Sequence, residues 1–219
     1  MKLRQHEQAQ SGFTIVELMI ATSVLAVMLL LVTIILSSLG NLYYKEANQS
    51  RIQDDTRNVV NQITQDLELN GGSVQTGAGA FCIDGSIRYS YVIGQELGSE
   101  STHVLWRDTD PNPANCTSAN LALAQPSATG VELLAPSSRL TQFSISLTSP
   151  YTITVNVAYG DDDLLCSPSA VGTCTSNTNT MTAGDFRNGD IICKGVSGGD
   201  SYCATATLTT TVVQRLTGG

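Results

Sequence analysis

Charge is scarce in this chain, and basic charge is scarcest. Only 14% of its 219 residues are Asp, Glu, Lys or Arg, with eleven basic side chains against nineteen acidic ones and a formal net charge of -8. A nucleic-acid binder neutralises phosphates with a basic patch or stripe, and this composition supplies none. The acidity serves solubility instead. Histidine is nearly missing, with only His6 and His103. There is no C-x-x-C pair, and neither histidine stands at ligand spacing from a cysteine pair, which weakens a zinc reading of the cysteines. Without a G-x-S-x-G or comparable nucleophile motif, His103 reads as a structural residue in a strand with Val104, Leu105 and Trp106. Gly77-Ala78-Gly79 neither follows a clear strand nor opens a helix, so it is not a phosphate loop. These absences argue against an enzyme, and no cofactor is expected.

What is present is an apolar run with one anomaly. From Phe13 to Ser38 the chain has 26 residues and a single ionisable group, Glu17. At 1.5 Å per residue that run is long enough to cross a hydrocarbon core of about 30 Å. An acid inside a membrane helix is costly and marks function by default. A secretory signal peptide is the alternative, with Ser38-Leu39-Gly40 as its cleavage site, but its apolar core should be shorter and free of acid. Lys2 and Arg4 precede the run, which favours a cytoplasmic N-terminus. All six cysteines (Cys82, Cys116, Cys166, Cys174, Cys193 and Cys203) follow it. That orientation carries them out of the cytoplasm, where an even number of cysteines reads as a disulfide framework.

Gly12, Phe13, Thr14 and Glu17, followed at once by the span and preceded by a short basic leader, resemble the prepilin-type cleavage and methylation segment. That segment is shared by type IV pilins, competence pilins and type II secretion pseudopilins. The resemblance implies cleavage between Gly12 and Phe13 by a prepilin peptidase, N-methylation of Phe13, and pairing of Glu17 with the N-terminal amine of a neighbouring subunit. An ion pair of that kind offsets the cost of two lone charges in low dielectric and fixes subunit register. The alternative for Glu17 is an interfacial acid that reaches water and does nothing more. The implied partners are other pilins or pseudopilins, the peptidase, the membrane and an inner-membrane assembly platform. Before assembly the chain would be a single-pass membrane protein with its head outside the cytoplasm, and afterwards part of a surface filament. One departure is the absence of proline from the span, so a meltable segment of the kind some major pilins carry is not implied.

Beyond the span, residues 41–70 read as more of the same helix. Ile52, Thr56, Val59, Ile63 and Leu67 recur at steps of three and four, which marks one buried stripe, while Arg51, Asp54, Asp55, Arg57 and Asp66 lie mostly off it. A coiled-coil seam is the competing use of the stripe, over few heptads. Asn70-Gly71-Gly72 predicts the helix end, and an unbroken helix from Phe13 would be about 87 Å long. Arg51 to Arg57 and Gln62 to Leu69 also resemble the corresponding stretch of larger minor pilins and J-type minor pseudopilins.

Past residue 70 glycine, serine and threonine rise and strand signals take over. Phe143, Ile145 and Leu147 alternate, Thr148-Ser149-Pro150 turns, and Tyr151, Ile153, Val155, Val157 and Tyr159 alternate again, which predicts a hairpin. Ala204 to Val212 predicts a further strand, and Ile87 to Ile93 with Val104 to Arg107 predict weaker ones. An antiparallel sheet packed on the helix follows, an α+β architecture. Its expected divisions are a cleaved leader over 1–12, a transmembrane helix over 13–38, an amphipathic helix over 39–70 and a β-rich head over 71–219. Among the cysteines, Cys193 with Cys203 and Cys166 with Cys174 flank short loops, leaving Cys82 for Cys116, although six cysteines allow fifteen pairings. Asp161, Asp162 and Asp163, and Asp185 with Asp190, are the acidic clusters to consider for calcium. None follows an EF-hand pattern, and the triple Asp reads as an exposed turn after Gly160. Trp106 reads as core. Asp108 to Asn120 reads as an exposed loop; with 167–187 it would carry recognition if the head were an adhesin or a DNA-uptake binder.

Overall fold

The computed structural model describes residues 12–70, 73–98, 103–109, 116–117, 130–171, 174, 185–194 and 201–214. Helix α1 runs Ile15–Asn70, and the chain divides into two compact units, one up to Leu42 and one from Tyr43 onward. The expected end at Gly71-Gly72 lies outside the described residues.

Among the described residues of the first unit every large apolar side chain is at least half exposed, from Phe13 at 91% to Leu31 and Val32 at 50%. Its hydroxyls are turned inward along the helix. Thr22 donates to the Met19 carbonyl, Ser23 to Ile20, Thr33 to Leu29, Ser37 to Thr33 and Ser38 to Ile34, at 2.8 to 3.1 Å. A surface with apolar side chains outward and polar groups satisfied within the helix is what hydrocarbon tolerates.

In the second unit the helix buries Ile52, Thr56, Val59, Val60, Ile63, Asp66 and Leu67. The stripe reappears as core, with Thr56 hidden because its hydroxyl donates to the Ile52 carbonyl at 2.7 Å. Asp66 departs from expectation: it is 5% exposed rather than off the stripe.

Five antiparallel strands form a meander of β1 (Val74–Gly77), β2 (Ala80–Ile83), β3 (Ile87–Tyr91), β4 (Leu105–Thr109) and β5 (Val131–Glu132). A second sheet has β6 (Ser138–Ile145) and β10 (Ala204–Val212) on either side of β7 (Tyr151–Tyr159). A small ladder pairs β8 (Leu165–Cys166) with β9 (Ile192–Cys193), and a single-turn helix, α2, spans Pro168–Val171. The C-terminal strand lies where alternation predicted it, and so does the β6–β7 hairpin, except that β6 begins earlier, at Ser138, and stops at Ile145, leaving Leu147 exposed. Phe143 lies opposite Val155, and Leu208 opposite Val155 on the other side.

Helix and both sheets share one core, from Ile63 and Leu67 through Phe81, Tyr89 and Leu105 to Leu140, Ile153, Val155 and Val157. Phe81 stacks on Tyr89 and on Phe143 at ring-centroid distances of 4.6 and 5.0 Å. A smaller core gathers Ala158, Leu165, Phe186, Ile191 and Cys203. Together these make a pilin-like α+β architecture.

Three expectations in this region are corrected. His103 precedes β4 rather than lying in it, and its ring packs on Trp106 at 3.9 Å. Trp106 is only half-buried, because alternation along β4 turns Leu105 into the core and Trp106 the other way. Trp106 meets Gly130 so closely that a Cβ there would fall 2.1 Å from its Nε1. Asp108 is a strand residue at 2% exposure, not the start of an exposed loop. Residues 110–115 and 118–120 of that loop lie outside the described residues.

Candidate functional site

The sequence points to the start of α1, and there the structure shows a reciprocal cap. Thr14 is the last residue before the helix, and Glu17 is its third residue. The Glu17 amide donates to the Thr14 hydroxyl at 3.3 Å, while the Thr14 amide and hydroxyl each donate to Glu17 Oε2 at 2.9 Å. The first turn of a helix leaves four amides without intrahelical partners. A Thr-x-x-Glu box satisfies two such amides, and the carboxylate lies at the positive end of the helix dipole. In an otherwise apolar segment that has a further consequence: this end of the helix need not draw on water for those groups. Glu17 Oε1 takes part in neither bond. Phe13 and Gly12 are exposed just before the cap, so the expected scissile bond lies in accessible chain outside the helix.

The remaining sequence candidates are placed as follows. The structure joins Cys82 to Cys116, Cys166 to Cys174 and Cys193 to Cys203, with Cα separations of 5.6 to 5.8 Å. Loop proximity suggested the second and third of these, and the first is the pair that elimination left. Among the described residues no group of three or more His, Cys, Asp or Glu is arranged to hold a metal ion. Asp161 and Asp163 lie in the exposed turn after β7, and Asp162 is drawn away to Arg139 at 2.6 Å. Asp190 serves another purpose, accepting from the Ser167 hydroxyl at 2.6 Å and the Ser169 amide at 2.7 Å at the start of α2. Burial works to raise its pKa, but those hydrogen bonds outweigh it and hold the carboxyl below the ordinary value.

Sequence reasoning missed the charged groups inside the head. Asp66 on α1 takes a two-pronged bond from Arg107, with Nε to Oδ2 at 2.7 Å and Nη2 to Oδ1 at 2.9 Å, and also accepts from the Tyr89 hydroxyl. Burial first, and then this bond to Asp66, push the Tyr89 pKa well above its usual value. On the other face of the meander Arg88 and Asp108, cross-strand partners in β3 and β4, pair at 2.7 Å and are almost wholly buried. Cys82 is the β2 partner of Arg88, so its bridge to Cys116 lies beside this pair. Arg139 spreads between Glu96, Asp162 and the Gly160 carbonyl, with its guanidinium 4.3 Å from the Phe186 ring centre. Opposite charges twenty or more residues apart carry no local sequence signal. Only the strand register of Arg88 and Asp108 would have hinted at a pair.

These internal pairs join elements of the fold. Helix α1 is tied to the meander, and the turn after β7 is tied to β6.

Residues 8–38 match a family model described as the prokaryotic N-terminal methylation motif. No curated protein and no solved structure matches the chain. The match spans the expected cleavage site, the Thr14–Glu17 cap and the apolar helix, and an apolar helix of this kind near the N-terminus fits a membrane-anchored pilin. With a pilin-like α+β head following it, the chain carries an N-terminal methylation segment of the prepilin type, which supports a likeness to type IV pilins and pseudopilins.

Proposed function

We propose that this chain is a minor pilin or minor pseudopilin whose work is assembly rather than catalysis. A prepilin peptidase on the cytoplasmic side cuts between Gly12 and Phe13 and methylates the new amine. The helix from Phe13 anchors the subunit in the membrane and then packs among other such helices in a filament, with the disulfide-bonded head outside the cytoplasm. The observation that supports this reading best is the Thr14–Glu17 cap, set directly after Gly12-Phe13 at the mouth of an exposed apolar helix. Glu17 Oε2 keeps the helix end satisfied, and Oε1 pairs with the Phe13 amine of a neighbouring subunit. Cleavage creates that amine, so processing and assembly are coupled through one carboxylate. A pair of this kind is worthwhile only in low dielectric, where each charge alone is costly.

The deciding measurement is N-terminal mass spectrometry of the protein from membranes with an active prepilin peptidase. A chain starting at N-methyl-Phe13 is the expected result. A chain starting at Asn41 would mean a cleaved secretory signal and overturn the proposal. Glu17→Gln should then be processed but fail to enter filaments.

A further inference from the structure

Three tyrosines cluster at the start of the second unit. Tyr43 and Tyr44 follow Leu42 directly; their rings meet edge to face at 6.1 Å, and Tyr44 lies 5.9 Å from Tyr202. All three are at least half exposed, at 72%, 52% and 51%. Tyr202 is 158 positions further along the chain and is held by its neighbours on several sides. Asn48 donates to the Ser201 carbonyl at 3.0 Å and Gln49 to the Thr205 carbonyl at 3.1 Å. Cys203 is bridged to Cys193. Gly160 comes so close that a Cβ there would meet the Tyr202 carbonyl at 3.2 Å. The backbone around Tyr202 is thus fixed, while its ring is left outside the core.

We propose that Tyr43, Tyr44 and Tyr202 form an aromatic anchor that seats the head on the outer surface of the membrane before assembly. The occupant of this patch is the phospholipid headgroup layer. The assignment rests on the membrane-anchor reading given above and goes beyond it by naming a head residue that touches lipid. From Phe13 to Tyr43 is thirty residues. At 1.5 Å each that is about 45 Å, the thickness of a bilayer with its headgroups. The tyrosines therefore leave the helix at the depth where aromatic belts form, with an apolar ring body and a hydroxyl that wants water. The continuity of Tyr43 with the exposed apolar helix selects lipid as the partner. A head with net negative charge gains little by approaching an anionic surface through charge, and a tyrosine belt does not need any.

The test uses the full chain in vesicles of phosphatidylethanolamine containing brominated phosphatidylcholine. The native chain has Trp106 as its single tryptophan and serves as the blank for a Tyr202→Trp variant. Emission gained from residue 202 should be blue-shifted and strongly quenched by the brominated lipid, and hydrogen exchange of residues 201–205 should be slower in vesicles than in detergent. Replacement by Tyr202→Ser should remove that protection and leave the protein folded. If the chain floats with vesicles but residue 202 is quenched only by aqueous acrylamide, the anchor proposal fails while membrane anchoring stands. If quenching instead rises with protein density, independent of bromine, the patch is a contact between subunits and the proposal fails. A chain that does not float with vesicles overturns both.

Discussion

Residues 15–42 and 43–70 belong to one helix, yet they treat their side chains in opposite ways. The first stretch exposes its leucines, isoleucines and valines and folds its hydroxyls back on its own carbonyls. The second buries a stripe from Ile52 to Leu67 and exposes most of its charges. A helix satisfies its own backbone in either setting, so α-helical structure says nothing about which solvent surrounds it. The surroundings are written in the side chains: apolar on every side for lipid or other helices, apolar on one stripe for a protein core.

The two stretches also differ in how each keeps an acid. Glu17 is satisfied within its own turn, by Thr14, and needs nothing from the rest of the chain. Among the described residues Asp66 is satisfied by Arg107 and Tyr89, which the fold brings from two strands. A local cap survives the transfer of the helix from one environment to another, whereas a tertiary pair exists only when the head is folded.

This contrast can be broken most forcefully at Asp108. Asp108→Ala leaves Arg88 charged and buried and should cost about 3–5 kcal/mol. A large drop in the head's melting temperature is expected in detergent, whereas Glu17→Ala should leave that temperature unmoved. An equal loss from both would mean that the first turn supports the head, contrary to the division drawn here. Next, Ile63→Ala should cost about 2–5 kcal/mol by opening a cavity. The same truncation at Leu30 should shift no head unfolding transition, as read by near-ultraviolet circular dichroism.

The disulfides sharpen the picture within the head. Cys82–Cys116 spans 34 residues and Cys166–Cys174 spans 8. Chain entropy assigns them about 3.8 and about 2.5 kcal/mol, so paired serine variants should differ in stability by about 1.3 kcal/mol. Calorimetry of the two variants gives the comparison.

The smallest effect is the pH response. Asp190 has a folded pKa below its unfolded one, so its contribution is complete above the unfolded value of about 3.9 and fades as pH falls through the lower folded value. Acid titration of Asp190→Asn against the native chain should show a shallower loss of stability in that window. Tyr89 gives the opposite limb. Its raised pKa contributes stability that is present below about 10 and lost as pH climbs toward the folded value. Tyr89→Phe should flatten the alkaline decline.

Much of the architecture was legible because it rests on short-range periodicity. The steps from Ile52 to Leu67 have the helical period, and alternation through Phe143 to Tyr159 and Ala204 to Val212 has the strand period. The sequence-derived site was legible for the same reason, since Gly12, Phe13, Thr14 and Glu17 lie within six residues of one another. What escaped were charges behaving against their type. Asp66 and Asp108 read as surface residues, and Arg88 and Arg139 gave no signal of burial, because a lone ionised group is costly to bury and its partner cannot be seen along the chain. Trp106 departs in the other direction: it reads as core, but its register on β4 puts it on the face away from Leu105, where it is half-buried.

By itself the sequence determined the apolar helix, the Gly12-Phe13-Thr14-Glu17 segment at its start, the hairpin around Ser149-Pro150 and the closeness of Cys166 to Cys174 and of Cys193 to Cys203, because each follows from neighbours a few residues apart. Only the tertiary structure decided which acids are buried, which arginines answer them, and that Tyr202 should stand beside Tyr44. Those outcomes depend on contacts across tens to more than a hundred residues, and burial, the quantity that sets the energy of a charge or a ring, does not exist until the chain has closed on itself.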